Sequence, residues 1–166
     1  MSTPFRDQLI TLLPRLKRFA LGLTVDATEA DDLVQAACER ALARQAQWQP
    51  GTRLDSWLFK ITQNLWIDRL RARGPVDDLE PELLAQLPAA DWQQGFEQSL
   101  MLGQVLQAMQ QLPAPMRAVL MLVCVEDLSY REAAATLDVP IGTVMSRLAR
   151  ARAALHAILG EHHAHL

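Results

Sequence analysis

The chain has 166 residues, half of them hydrophobic and only 5% aromatic, with 16 Lys and Arg against 19 Asp and Glu. Ala, Leu, Gln and Arg dominate and β-branched runs are scarce, a composition that favours helices and argues against a sheet protein. No apolar run approaches the ~20 residues that a bilayer span needs, and Met1-Ser2-Thr3-Pro4-Phe5-Arg6 lacks the basic-then-apolar order of a signal peptide, so a cytoplasmic protein without membrane insertion is expected.

The net charge of −3 is unevenly spread. Residues 1–74 hold 11 Lys and Arg against 8 acids, residues 75–99 hold none against 6, and residues 100–166 hold 5 against 5. Two ends able to present basic faces therefore flank an acidic middle, and a phosphate-binding surface needs only local charge. Cys38 and Cys124 lie far apart within apolar helical stretches, which reads as small buried residues rather than a disulfide or a metal knuckle.

In chain order, Phe5, Leu9, Leu12, Leu13, Leu16, Phe19 and Leu23 recur at spacings of three and four and predict a helix over residues 4–23. Asp26 and Glu29 have the spacing of a capping box, opening a second helix with Leu33, Val34 and Ala37 on one side and Asp31, Asp32, Gln35 and Glu39 on the other. Gln49-Pro50-Gly51-Thr52 breaks the pattern. Thr52 and Asp55 are expected to cap a third helix that ends near Gly74-Pro75. From residue 75 to about 94 the period is lost, which reads as a partly extended tether and a domain boundary. Helical spacing resumes over residues 100–112, Pro113 and Pro115 punctuate, and residues 116–125 form a further apolar helix.

The most specific local pattern comes last. Ser129 and Glu132 form a capping box before a short Ala-rich helix, Asp138-Val139-Pro140 turns the chain, and Gly142-Thr143 leads into a helix carrying Arg147, Arg150 and Arg152. Val144, Leu148, Ala151 and Leu155 make its apolar side. No acid occurs between Asp138 and Glu161, so the layout is that of a helix-turn-helix whose second helix is purely cationic; that face is either a solvated basic surface or, as the capped two-helix unit favours, one that enters a major groove.

Taken together, Asp31-Asp32-Leu33-Val34-Gln35, Pro50-Gly51, Trp57-Leu58-Phe59-Lys60-Ile61 and Asn64 resemble the N-terminal conserved domain of the extracytoplasmic-function sigma factors. Leu112-Pro113, Arg117, Leu128-Ser129-Tyr130-Arg131-Glu132-Ala133-Ala134 and the run from Pro140 to Arg152 resemble the C-terminal one. The resemblance implies an all-α protein of two small helical domains: residues 1–74 as sigma region 2, 75–97 as an acidic linker, 98–160 as sigma region 4, and 161–166 as a His-bearing tail. It also implies a promoter-specificity factor without catalytic residues, cofactor or metal. Its partners would be core RNA polymerase, duplex promoter DNA with the melted minus-ten strand, and an anti-sigma factor.

Carried over by position, Asp31, Asp32 and Gln35 match the surface that grips the polymerase, with Ala36 standing where the family usually places an acid. Trp48, Arg53, Lys60, Asn64 and Arg69 match the minus-ten surface, where an aromatic platform beside an amide suits a flipped base. Trp57 shares the stripe of Leu54, Leu58 and Ile61 and reads as core. Arg117, Arg131, Thr143, Ser146, Arg147, Arg150 and Arg152 match the minus-thirty-five surface. There Arg117 and Arg131 would approach phosphates and Arg150 a base edge, while Met145 and Ala149 offer apolar contact with thymine methyls.

Two other readings start from the same residues. A helix-turn-helix regulator with a ligand-sensing N-terminal half leaves the motifs around Trp48 to Asn64 without a role. A sigma-mimicking decoy does not need the cationic series. An enzyme is disfavoured, because no Gly-rich phosphate loop or nucleophile elbow is present. The tail Glu161-His162-His163-Ala164-His165 has side chains that could bind a transition metal, but reads first as a frayed end.

Overall fold

The structure, a computed structural model, describes residues 4–73 and 107–164, with side chains as far as residue 160. The acidic linker and the side chains of the His-bearing tail therefore lie outside the described residues. Among the described residues every regular element is helical.

Helix α1 (Phe5–Thr24) buries the expected stripe, with Leu9, Leu16, Phe19, Ala20 and Leu23 in the core. Pro14 lies within it, on the solvent side. The carbonyl that has lost a donor there can be hydrated, which keeps the interruption tolerable. Val25 closes the helix in the left-handed conformation. Helix α2 (Ala27–Ala43) opens as the sequence suggests, the Asp26 carboxylate accepting from the Glu29 amide at 2.9 Å. A short 3-10 turn, Gln45–Gln47, leads to the Pro50-Gly51 loop, where Gly51 has φ 91° and so needs glycine.

Helix α3 (Leu54–Ala72) does not start as expected. Thr52 lies one residue too early to cap it: Arg53 holds the N-cap position, and the Thr52 hydroxyl instead donates to the Gln49 carbonyl at 2.6 Å, closing the loop. Asp55 is drawn away to two arginines. Helices α1, α2 and α3 pack against one another around Phe19, Leu33, Leu58 and Phe59.

In the second half, helix α4 (Ala114–Leu120) carries Pro115 in its first turn, where no amide donor is needed. The sequence reads residues 116–125 as one helix, but the backbone widens into a π turn over Met121–Val125, and the Glu126 amide reaches back five residues to the Met121 carbonyl at 2.9 Å. Helices α5 (Tyr130–Leu137) and α6 (Ile141–Ala164) follow, with Asp138 in the left-handed conformation at the turn between them. Val144, Leu148, Ala151, Ala154, Leu155 and Leu159 of α6 cover Val119 and Leu122.

The two halves share one continuous core. Helix α1 meets α4 and the π turn, and α3 meets α5. Gly22 lies beneath Met121, and a Cβ there would stand 2.5 Å from that side chain, which would have to shift to admit it.

Candidate nucleic-acid interface

The helix-turn-helix is built as its sequence dictates. The Ser129 hydroxyl accepts from the Glu132 amide and the Glu132 carboxylate accepts from the Ser129 amide, each at 3.0 Å, so both donors at the start of α5 are satisfied. At its end the Val139 amide bonds back to the Ala134 carbonyl at 3.1 Å. Helix α6 then buries Val144, Leu148, Ala151 and Leu155 and turns Met145, Ser146 and Ala149 to solvent. Met145 is 51% exposed and Ile141 46%, so two large apolar side chains one helical turn apart lie open to solvent beside the strip. Thr143, Arg147 and Arg150 flank this strip half-exposed, and Arg131 is exposed on α5. Arg152 stands on another side, with Nη2 3.8 Å from the Cys124 sulfur at the π turn, and does not join the strip.

Arg117 departs furthest from its expected role. It is 9% exposed, and its guanidinium donates to the Leu23 carbonyl from both Nε (3.1 Å) and Nη2 (2.7 Å), with a further bond to the Leu112 carbonyl. Leu23 lies in the last turn of α1, whose carbonyls have no helical donor, so Arg117 caps a helix of the other half. Burial lowers its pKa from the usual arginine value. In this arrangement it is withdrawn from phosphates.

In the N-terminal half, Asp31, Asp32 and Gln35 share the exposed side of α2, and Gln35 Nε2 lies 3.4 Å from Glu39 Oε1. Arg69 reaches the Asp32 backbone carbonyl at 3.4 Å, which puts it beside this face. Trp48 is half-buried, its ring 5.7 Å from Phe5, which in turn meets Trp57 at 5.9 Å. Trp48, Phe5, Gln8, Gln45, Pro50 and Gly51 are among the walls of an open hollow of about 620 Å³. Asn64 is exposed on α3 and is not among those walls, so platform and amide are not brought together here.

Arg53 and Lys60 face the other half. Lys60 Nζ lies 3.0 Å from Asp138 Oδ1, and Arg53 bonds both Asp55, at 2.7 Å, and Glu132. Arg15 links Asp55 (3.1 Å) to Glu126 (2.8 Å), and Arg18 grips Glu126 with Nε at 2.9 Å and Nη2 at 3.1 Å. The Glu126 side chain has no solvent exposure, so these paired arginines compensate a buried carboxylate. Burial pushes the Asp55 carboxyl up, but the hydrogen bonds and charges of Arg53, the Ser56 amide and Arg15 outweigh it and hold it below the usual carboxylate value. Glu132 is lowered too, by its Ser129 bonds first and Arg53 next. Arg53 is raised, chiefly by its hydrogen bonds to Asp55. Sequence reasoning missed Arg15, Arg18, Asp55 and Glu126; the one visible signal is an acidic Glu126-Asp127 pair ending an otherwise apolar run.

Comparison with known proteins fits this arrangement. Residues 9–75 match the family model for sigma-70 region 2 and residues 102–155 that for sigma-70 region 4. The chain is 36% identical over 160 residues to the ECF RNA polymerase sigma factor EcfG of Rhodopseudomonas palustris, covering 96% of this chain and 87% of that protein. The chain belongs to the ECF sigma factors. It is 36% identical to the ECF sigma factor SigE of Mycolicibacterium smegmatis, with 96% of this chain and 63% of that one aligned. A similar solved structure is the sigma factor RpoE of Bartonella quintana, in complex with the anti-sigma factor NepR, with a TM-score of 0.76, 31% identity, and coverage of 94% and 96%. This sigma factor is thus an alternative initiation factor that directs RNA polymerase to promoters, and readings as a ligand-sensing regulator or a decoy are not favoured.

Proposed function

We propose that the two halves of this sigma factor divide promoter recognition by surface. Arg147 and Arg150, with Ser146 and the apolar Met145 and Ala149, read base edges of a minus-thirty-five element. Thr143 borders that strip, and Arg131 holds a phosphate beside it. Asp31, Asp32 and Gln35 dock core polymerase, and the hollow beside Trp48 takes a base of the opened minus-ten element, with Arg53, Lys60 and Asn64 along the path of the strand. The observation that carries the reading is the exposed, acid-free strip of α6 behind a complete capping box and turn. Cationic side chains around an apolar strip at helical spacing are what a major groove, with its phosphates, base edges and thymine methyls, accepts.

As a factor of RNA polymerase without chemistry of its own, the protein acts in the cytoplasm. By analogy with the NepR-bound relative, a small anti-sigma protein holds it inactive. Run-off transcription with purified core polymerase and a genomic fragment library tests the assignment: specific transcripts that depend on the factor, and that disappear with Asp32→Lys, are expected. Transcription without the factor, or full activity of Asp32→Lys, would overturn it.

A further inference from the structure

Helix α6 carries two apolar rows with different fates. Val144, Leu148, Ala151 and Leu155 are sealed in the core. Ile141, Met145 and Ala149 recur every four residues and are exposed throughout, Ile141 at 46% and Met145 at 51%. At its rise per residue this second row runs for about 12 Å along the helix, each member turned by about 40° from the last. Beside it Gly142 faces open space, with no atom of the described residues within 4 Å of where its Cβ would stand, so a partner can approach the backbone closely there. Ser146 and the half-exposed Arg150 continue the same surface.

The surroundings decide what covers the row. The helix holds no acid before Glu161, and Asp138 at the preceding turn is engaged by Lys60 at 3.0 Å, so the surface suits a polyanion. In the major groove of duplex DNA the base edges present hydrogen-bond donors and acceptors, and one apolar group, the C5-methyl of thymine. Isoleucine and alanine can neither donate nor accept, and methionine offers only a weak acceptor.

We infer that Ile141, Met145 and Ala149 form a methyl-reading row, by which the factor distinguishes thymine from uracil, and 5-methylcytosine from cytosine, in its minus-thirty-five element. The inference rests on the reading of α6 as the minus-thirty-five helix. It makes Ile141, which lies outside the positions matched by family resemblance, a specificity-determining residue. Nucleotides of one strand rise by about 3.4 Å each, so a row of about 12 Å spans three to four of them and can meet neighbouring pyrimidines. Burying one methyl group corresponds to roughly a fourfold gain in affinity.

The test uses the full chain bound to core polymerase, and a duplex carrying the minus-thirty-five element of a promoter recovered by run-off transcription. Deoxyuridine replaces each thymine of the element in turn, which removes the methyl, keeps the hydrogen-bonding groups and leaves the protein untouched. At one or more neighbouring positions affinity should fall on the order of fourfold. With a C·G pair at such a position, 5-methylcytosine should bind better than cytosine by a similar factor. Ile141→Ser and Met145→Ser should each erase the difference between thymine and uracil at one position, with circular dichroism showing that the helices persist.

Uracil without effect at every position, while Arg150→Ala still weakens duplex binding, overturns the methyl reading and leaves the minus-thirty-five reading standing. If Arg150→Ala changes nothing either, the reading of α6 itself has failed. Sensitivity to uracil that survives in both serine variants overturns the assignment to this row. A dimer of the free factor in analytical ultracentrifugation that Met145→Ser dissolves gives the row to a second copy of the chain and overturns the inference as well.

Discussion

The two candidate DNA surfaces are in opposite states. The strip of α6 around Met145, Ser146 and Ala149 is open to solvent, and the acids nearest it in sequence are turned to the other half. The surface around Arg53 and Lys60 has cations of the same kind, but each already has a carboxylate. What separates them is long-range pairing rather than local sequence. Exposure of a basic residue to DNA is therefore a property of the whole arrangement, and Arg117, the most buried arginine among the described residues, is the extreme case.

That contrast can be broken most forcefully at Arg117. Replacing it by alanine leaves the Leu23 and Leu112 carbonyls without their donor, and an unsatisfied buried group costs about 1–3 kcal/mol, so Arg117→Ala should destabilise the fold by about 2–4 kcal/mol in urea unfolding. A surface phosphate ligand would leave unfolding unchanged and alter only salt dependence. Arg150→Ala should leave stability intact and cost about 1–3 kcal/mol in binding a minus-thirty-five duplex, with preference relaxed at one position in a competition against base-substituted sites. Asn64→Ala sharpens the division: duplex binding at low temperature should persist while permanganate-detected melting falls, because a residue that meets an extruded base acts only once strands part.

Acid provides a gentler probe. Asp55 and Glu132 have lowered pKa values in the folded protein, so their contribution is present above the unfolded carboxylate values of about 4 and is lost as pH falls through the folded ones. Stability should therefore be flat near neutrality and decline below about pH 4, with a smaller decline when Asp55 is replaced by asparagine. Thermal melts across that range check it. The smallest effect is expected from Arg131→Ala, which should weaken all promoter duplexes alike and lower the slope of log affinity against log salt by about one.

Much of the fold was legible because local rules and burial agree. The stripe of α1, the Asp26 cap, and the Ser129 and Glu132 box with the turn at Asp138 all depend on residues within four positions of one another. The apolar side of α6 and the packing of Trp57 followed from the same periodicity. The failures have a common cause too. Thr52 and Asp55 have the spacing of a cap, yet Asp55 is claimed by Arg53 beside it and by Arg15, forty residues earlier. Glu126 finds Arg18 across 108 residues, and Arg117 finds Leu23 across 94. No periodicity encodes such pairs, so the face that joins the halves was invisible while the faces within each half were not. The candidate DNA-reading positions came from resemblance more than from pattern, and Arg117 and Arg152 lie off the α6 strip: the motif fixes a place on a helix, not the direction in which a side chain is pulled.

The π turn at Met121–Val125 acts as a phase adjuster. A residue adds about 100° of rotation on an α-helix, so one extra residue in a turn swings everything after it around the axis. Up to Leu120 the segment buries Met116, Val119 and Leu120, and Arg117 already reaches the Leu23 carbonyl of α1. Beyond the turn Glu126 addresses Arg15 and Arg18 on the other half. Without the widened turn, continuing α geometry would aim that carboxylate about a third of a circle away. The irregularity thus sets the direction in which Glu126 leaves the segment, and with it the carboxylate that the two arginines of α1 clasp.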